Sequence, residues 1–179
     1  MNKILVSDID KKYYSLIREN VSAFLKKCAI KYDDKNKLLL DIAPQIHLGA
    51  REHFTKAKIK TFDIDPYSGA DYIADLCETN RELITDDYFD LIVCTEVLEH
   101  VLNPFKAVKE IYRILKKGGL TFVTTPFNFR IHGPLPDCWR FTEHGLRELF
   151  KDFVIIELNA IPTEGRNLMP LHYSLIAKK

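Results

Sequence analysis

Seven short apolar runs, several with an acid at or near the end, constrain this chain more than any other feature. FDLIVCT (89–95) is apolar almost without interruption, and LLLDI (38–42) and LTFVTTP (120–126) come close. Runs of that kind suit strands buried on both faces, as in a parallel sheet covered by helices. IKTFDID (59–65), DYIAD (71–75), FVIIELNA (153–160) and LHYSLIAKK (171–179) complete the set.

Between these runs the period changes. Residues 11–31 place Tyr14, Ile17, Val21, Phe24, Leu25 and Cys28 at helical spacing opposite a charged face, the pattern of an amphipathic helix. A second helix is expected over 48–57, and a third over 104–117 with Pro104 in its first turn and Gly118-Gly119 as its stop. Thr142 is placed to cap a fourth that runs through Phe150. Strands alternating with helices predict an α/β fold with helices on both faces of a mostly parallel sheet. The last two runs are joined by a loop of about ten residues with no helix, so they should pair antiparallel. The expectation is one domain over 1–179, with a seven-stranded sheet and one antiparallel strand near the C-terminus.

Charge and cysteine usage exclude several classes. With 26 basic and 25 acidic side chains the net charge is +1, so no bulk attraction to nucleic acid or an anionic membrane is expected. No stretch approaches the roughly 20 apolar residues of a membrane span. MNKILVSDIDKK lacks the apolar core of a secretion signal, and a cytoplasmic location is expected. The four cysteines, at 28, 77, 94 and 138, include no CxxC pair, so neither disulfides nor a metal site are expected from them.

Ligands of open α/β sheets bind at the carboxyl ends of the strands. Asp41, Asp63, Asp65, Asp75, Thr95 and Glu96 stand at those ends. Such a rim would repel phosphates unless a glycine-rich turn supplied bare N–H groups. The turn here reads Ile42-Ala43-Pro44-Gln45, with no glycine until Gly49, so a P-loop and a dinucleotide fingerprint are both absent. A phosphate-free cation with a ribose diol suits the rim better, since a carboxylate can accept from both hydroxyls and attract the charge. Strand-end acids also cap turns, and each of these has that plainer reading.

The stretch DYFDLIVCTEVLEHVLNPFKAVKEIYRILKKGGLTFVTTPF (87–127) closely resembles the core of class I methyltransferases that use S-adenosyl-L-methionine (SAM), of the type 11-like branch. FDIDPYSGADYIADL (62–76) and WRFTEHGLRELF (139–150) resemble the flanking parts. The resemblance implies a Rossmann-like fold, SAM as cofactor and a small-molecule or saccharide acceptor, methylated at oxygen because no NPPY-like motif follows the fourth strand. It implies that Asp41 matches the acid of the first motif, Asp63 the ribose acid (Asp65 is the alternative), and Ile64 the adenine flank. Asp75 and Leu76 match the pair at the adenine edge, and Thr95, Glu96 and Val97 the pocket floor. Ala43, Pro44 and Gln45 depart from the family's alternating glycines, so a non-catalytic relative that has lost productive SAM binding is the second reading. A nicotinamide oxidoreductase is a third, lacking its glycine fingerprint.

An acceptor hydroxyl must lose a proton as it is methylated. His132, in the loop NFRIHGPLPDCWRF, is the first candidate base. His100 lies four residues after Glu96, on one face of the helix expected there, as a base or as a structural hydrogen-bonding group. His144 is expected to face solvent. Asp137 and Arg140 share the loop with His132 and could bind an acceptor or each other.

Overall fold

The computed structural model describes residues 6–45 and 47–179. Residues 1–5 of the N-terminal stretch weighed as a secretion signal lie outside them. The first helix, α1, spans Asp8–Tyr32, capped by Ser7, whose hydroxyl accepts the Asp10 N–H at 3.2 Å. Two acids in its first turn meet the positive end of the helix. Ile17, Val21, Phe24, Leu25 and Cys28 form its buried face, whereas Tyr14 is exposed.

The sheet contains β1 (Leu38–Ile42), β2 (Lys58–Asp63), β3 (Tyr72–Ile73), β4 (Phe89–Thr95), β5 (Leu115–Pro126), β6 (Val154–Thr163) and β7 (Arg166–Lys178). Their order is β3-β2-β1-β4-β5-β7-β6. Every pairing is parallel except the two made by β7. The fold is therefore a seven-stranded, Rossmann-like α/β sheet with one antiparallel strand. Helices α2 (Pro104–Ile114) and α3 (Glu143–Leu149) complete it.

Each face of the sheet has its own core. Leu39, Leu91, Val93, Phe122 and Ile176 pack under α1, where Tyr32 and Phe54 both stack on Phe122. Leu40, Ile92, Val123 and Leu175 face the other way, under α2 and α3. The alternation of side chains along each strand makes this division. Among the described residues no helix is long and apolar enough to cross a membrane.

Four expectations are corrected. Only one 3-10 turn, Gly49–Glu52, forms in the region expected to be helical over 48–57. The Asp33 carboxylate at the end of α1 accepts the N–H groups of Thr55, Lys56 and Ala57 at 2.8 to 2.9 Å, so those amides have left the helical ladder. The helix expected to reach 117 ends at Ile114. Leu115, fully buried, pairs with Phe89 in the sheet, and Lys116 bonds Asp90; sheet pairing overrides local helix propensity there. No helix follows β4 directly: residues 98–100 make a turn closed by the His100 N–H on the Val97 carbonyl. Finally, β6 and β7 are joined through Glu164 and Gly165 alone, with Gly165 at φ 70°, rather than by a long loop. Glycine supplies the left-handed conformation that a two-residue hairpin needs.

Candidate active site

Strand order reverses between β1 and β4, which opens a crevice at their carboxyl ends. Asp41 lies just short of that edge and is 1% exposed. Its carboxylate accepts the Ala50 N–H at 2.7 Å, and a Cβ at Gly49 would overlap its Oδ2. Burial pushes Asp41 up to about 6. Its contact in the structure is thus the turn itself.

The glycine-poor turn keeps a glycine's path. Ala43 has φ 51° and Gln45 φ 52°, left-handed values that cost a side-chain-bearing residue about 1–2 kcal/mol. The Ala43 N–H, bonded to the Phe62 carbonyl at 2.7 Å, helps hold the first in place. Gln45 is exposed and Pro44 only half-buried, and both Ala43 and Gln45 line the cavity beyond.

That cavity measures about 680 Å³, within the range of pockets for small ligands and cofactors. Asp63, Asp65, Asp75 and Glu96 line it together with Ile64, Leu76 and Val97, and among the described residues no Lys or Arg does. Asp63 is buried, with one oxygen on the Asp65 N–H. Asp65 is exposed and accepts the Tyr67 N–H, so it shapes its own turn. Asp75 accepts the Cys77 N–H at 2.7 Å in the same manner. Leu76 and Val97 are buried, and Ile64 is exposed at the cavity rim. Pro134, Leu135 and Pro136 close the far side.

A smaller cavity of about 160 Å³ adjoins it, sharing Ala43, Gln45, Glu96, His100 and Pro134. Thr95, His132, and Tyr14 and Arg18 of α1 are among its other lining residues. The residue at its floor is Glu96, at φ 56°. Backbone in that conformation persists where its surroundings over-determine it. The Glu96 N–H bonds the Thr124 carbonyl, and Glu96 Oε1 accepts from the Thr124 hydroxyl at 2.8 Å and from His172 Nε2 at 2.6 Å. Burial alone would raise Glu96; His172 and Thr124 more than reverse it and hold the carboxyl below its usual range. His172, fully buried, bonds the Asn20 amide through Nδ1 at 2.7 Å. Neither Asn20 nor His172 was distinguishable in the sequence, because each stands in a segment that reads only as core-facing helix or strand.

His100 and His132 meet over Glu99. Their rings pack edge to face, 4.9 Å between centroids. Burial lowers His132 and pushes Glu99 well above the carboxylate range. Asp137 and Arg140, expected near an acceptor, bind each other through both carboxylate oxygens. Arg140 also donates to the carbonyls of Phe129, Arg130 and Trp139. Burial pushes Asp137 up, but Arg140 and the His132 N–H outweigh it and hold it at about 2. This pair ties the loop together and lines neither cavity. His144 is exposed on α3.

A family model described as a methyltransferase domain matches residues 9–160. The chain belongs to that family. A ubiquinone biosynthesis O-methyltransferase from Glaesserella parasuis is 33% identical over 86 residues, 48% of this chain and 34% of the relative. The chain therefore spans about a third of that relative's length. Among solved structures, a SAM-dependent methyltransferase from Methanosarcina mazei superposes with a TM-score of 0.61 at 20% identity, over 82% of this chain and 93% of that one. One from Mesorhizobium loti gives 0.67 at 14% identity, over 89% and 97%. For this methyltransferase domain SAM is the cofactor that the family implies. The residues fit it: four acids and, among the described residues, no Lys or Arg around a largely apolar cavity suit a phosphate-free cation and would repel a dinucleotide.

Proposed function

We propose that this methyltransferase domain moves the SAM methyl group to oxygen of a small-molecule acceptor, a saccharide included. One observation carries the reading: a cavity lined by acids and, among the described residues, free of Lys and Arg at the sheet's switch point, joined through His100 to a smaller cavity beside it. When bound, SAM supplies a methyl group on a positively charged sulfur. Asp63 would accept from the ribose hydroxyls, while Ile64, Asp75 and Leu76 would enclose the base. Glu96, held ionised by Thr124 and His172, would lie nearest the cationic end and exclude water with Val97. The acceptor would enter past Tyr14 and Arg18 and lie beside the cluster of Glu99, His100 and His132. The name of the Glaesserella relative supports oxygen as the atom methylated. Three buried cysteines in the free thiol form support a cytoplasmic setting.

Ala43 and Gln45, which line the cavity where the family has glycines, favour one other reading, a domain that keeps the fold and binds SAM too weakly to use it. Calorimetric titration with SAM and with S-adenosylhomocysteine separates the two. Binding of both is expected, weakened tenfold or more by Asp63→Ala through loss of the diol contact. No heat and no thermal shift at millimolar ligand would leave only the non-catalytic reading.

A further inference from the structure

Three ligand-type atoms converge where the two cavities meet. Glu99, His100 and His132 each bring one ligand-type atom within 4.8 Å of the other two, and the Nε2 of each imidazole is 3.8 Å from Glu99 Oε1. The other nitrogen of each imidazole is committed. His100 Nδ1 lies 2.9 Å from the Pro136 carbonyl, which can only accept, so Nδ1 carries the proton and Nε2 the lone pair. His132 Nδ1 faces two acceptors, Asp137 Oδ2 at 3.1 Å and the Arg130 carbonyl at 3.3 Å, with the same result. Glu99 is fully buried, and neither of its oxygens has a hydrogen-bond partner among the described residues.

Two nitrogen lone pairs and the buried, unpartnered Glu99 carboxyl thus face one small volume. A cation there would give all three groups the partner that buried polar atoms ordinarily have. At 3.8 Å the pairs are too far apart for hydrogen bonds. Ligand atoms at about 2.1 Å from a tetrahedral ion stand about 3.4 Å from one another, so the two imidazoles need to close on Glu99 by about 0.4 Å to share one. An imidazole whose other nitrogen is fixed by a carboxylate or a carbonyl is the usual arrangement behind a metal ligand. Asp137, locked in turn by Arg140, supplies that support for His132.

We propose that Glu99, His100 and His132 bind a divalent first-row transition-metal ion of the zinc or cobalt kind. Two imidazoles and one carboxylate are the donors such ions favour, whereas calcium takes oxygen alone. Cysteine spacing predicts no metal, and this site contains no cysteine. Three protein ligands leave a coordination position open, and His100 and His132 both line the smaller cavity. If the methyl-transfer reading holds, on which this use of the ion rests, the acceptor oxygen would take that position and lose its proton to solvent more readily. The imidazoles would then serve as ligands and not as bases.

The full chain, stripped with chelator and dialysed, is titrated with Co²⁺ alone and followed by visible absorption, with bound Zn²⁺ counted in parallel by elemental analysis. One equivalent and the intense bands of a low-coordinate Co²⁺ site are expected. Glu99→Gln, His100→Ala and His132→Ala should each weaken binding at least tenfold, while His144→Ala leaves it unchanged. Imidazole nitrogen shifts of the wild-type chain on Zn²⁺ addition report the same ligands without relying on a variant's folding. No stoichiometric binding, or equal binding by the His100 and His132 variants, overturns the proposal. SAM titration of the metal-free chain keeps the two questions apart: SAM binding without metal binding removes this inference alone, and metal binding without SAM binding removes the methyl-transfer reading alone.

Discussion

Asp41, the acid of the first motif, holds the backbone of its own turn. Its carboxylate is spent on the Ala50 N–H, beside a glycine that leaves it room. Folding raises it from about 3.9, the value of a free aspartate, to about 6. The folded chain therefore keeps a proton that the unfolded chain releases, and this contribution to stability is complete below about pH 4 and lost as pH rises through 6. Asp41→Asn cannot ionise. Urea titrations of ligand-free protein should find the variant gaining about 2–3 kcal/mol on the wild type between pH 4 and 6.5. A difference independent of pH would mean that the carboxylate is not held away from water. Ala43 and Gln45 make a related point: the left-handed path survives the loss of the glycines that usually permit it, at a cost that the sheet around it bears.

Among the elements, the segment after β1 departs furthest from its own local pattern. Residues 48–57 carry helical periodicity, but Asp33 takes three successive amides at 55–57 and only one tight turn is left. Those bonds also tie the end of α1 to the approach to β2. Asp33→Ala should destabilise the chain by about 1–3 kcal/mol, as expected when charge-assisted hydrogen bonds are removed from partly exposed amides. Faster hydrogen exchange at residues 55–57 should accompany it. A change below about 0.5 kcal/mol, with exchange unaltered, would assign the turn's shape to something other than Asp33. The early end of α2 has a similar cause, since Leu115 gains more from burial against Phe89 than from another helical turn.

At the scale of the molecule, the reversed direction of β7 decides the site. A parallel strand there would carry its first residues to the opposite edge of the sheet. Running antiparallel, β7 sets His172 against Pro126 at the carboxyl end of β5, within reach of Glu96, while Asn20 approaches from α1. The chain Asn20–His172–Glu96–Thr124 thus joins α1 to β4, β5 and β7 through one buried imidazole. A double-mutant cycle of Asn20→Ala and His172→Ala, read by denaturation, should give a coupling of about 0.5–3 kcal/mol. Simple additivity would show that the two side chains act separately.

The sheet, the helices on both faces, the antiparallel strand and the acids at the strand ends could all be read along the chain. Each depends on the period of side chains over a few residues, or on one block as specific as EVLEHV. His100 and His132 could be named as chemically capable, but not paired over Glu99. The tertiary structure alone decided that Asp137 and Arg140 lock a loop and that His172, 76 positions from Glu96, completes the floor of the site. Local pattern reports which face of an element is apolar. It carries no signal of which polar groups from distant elements will share one dry volume, because only the direction and order of the strands bring them there.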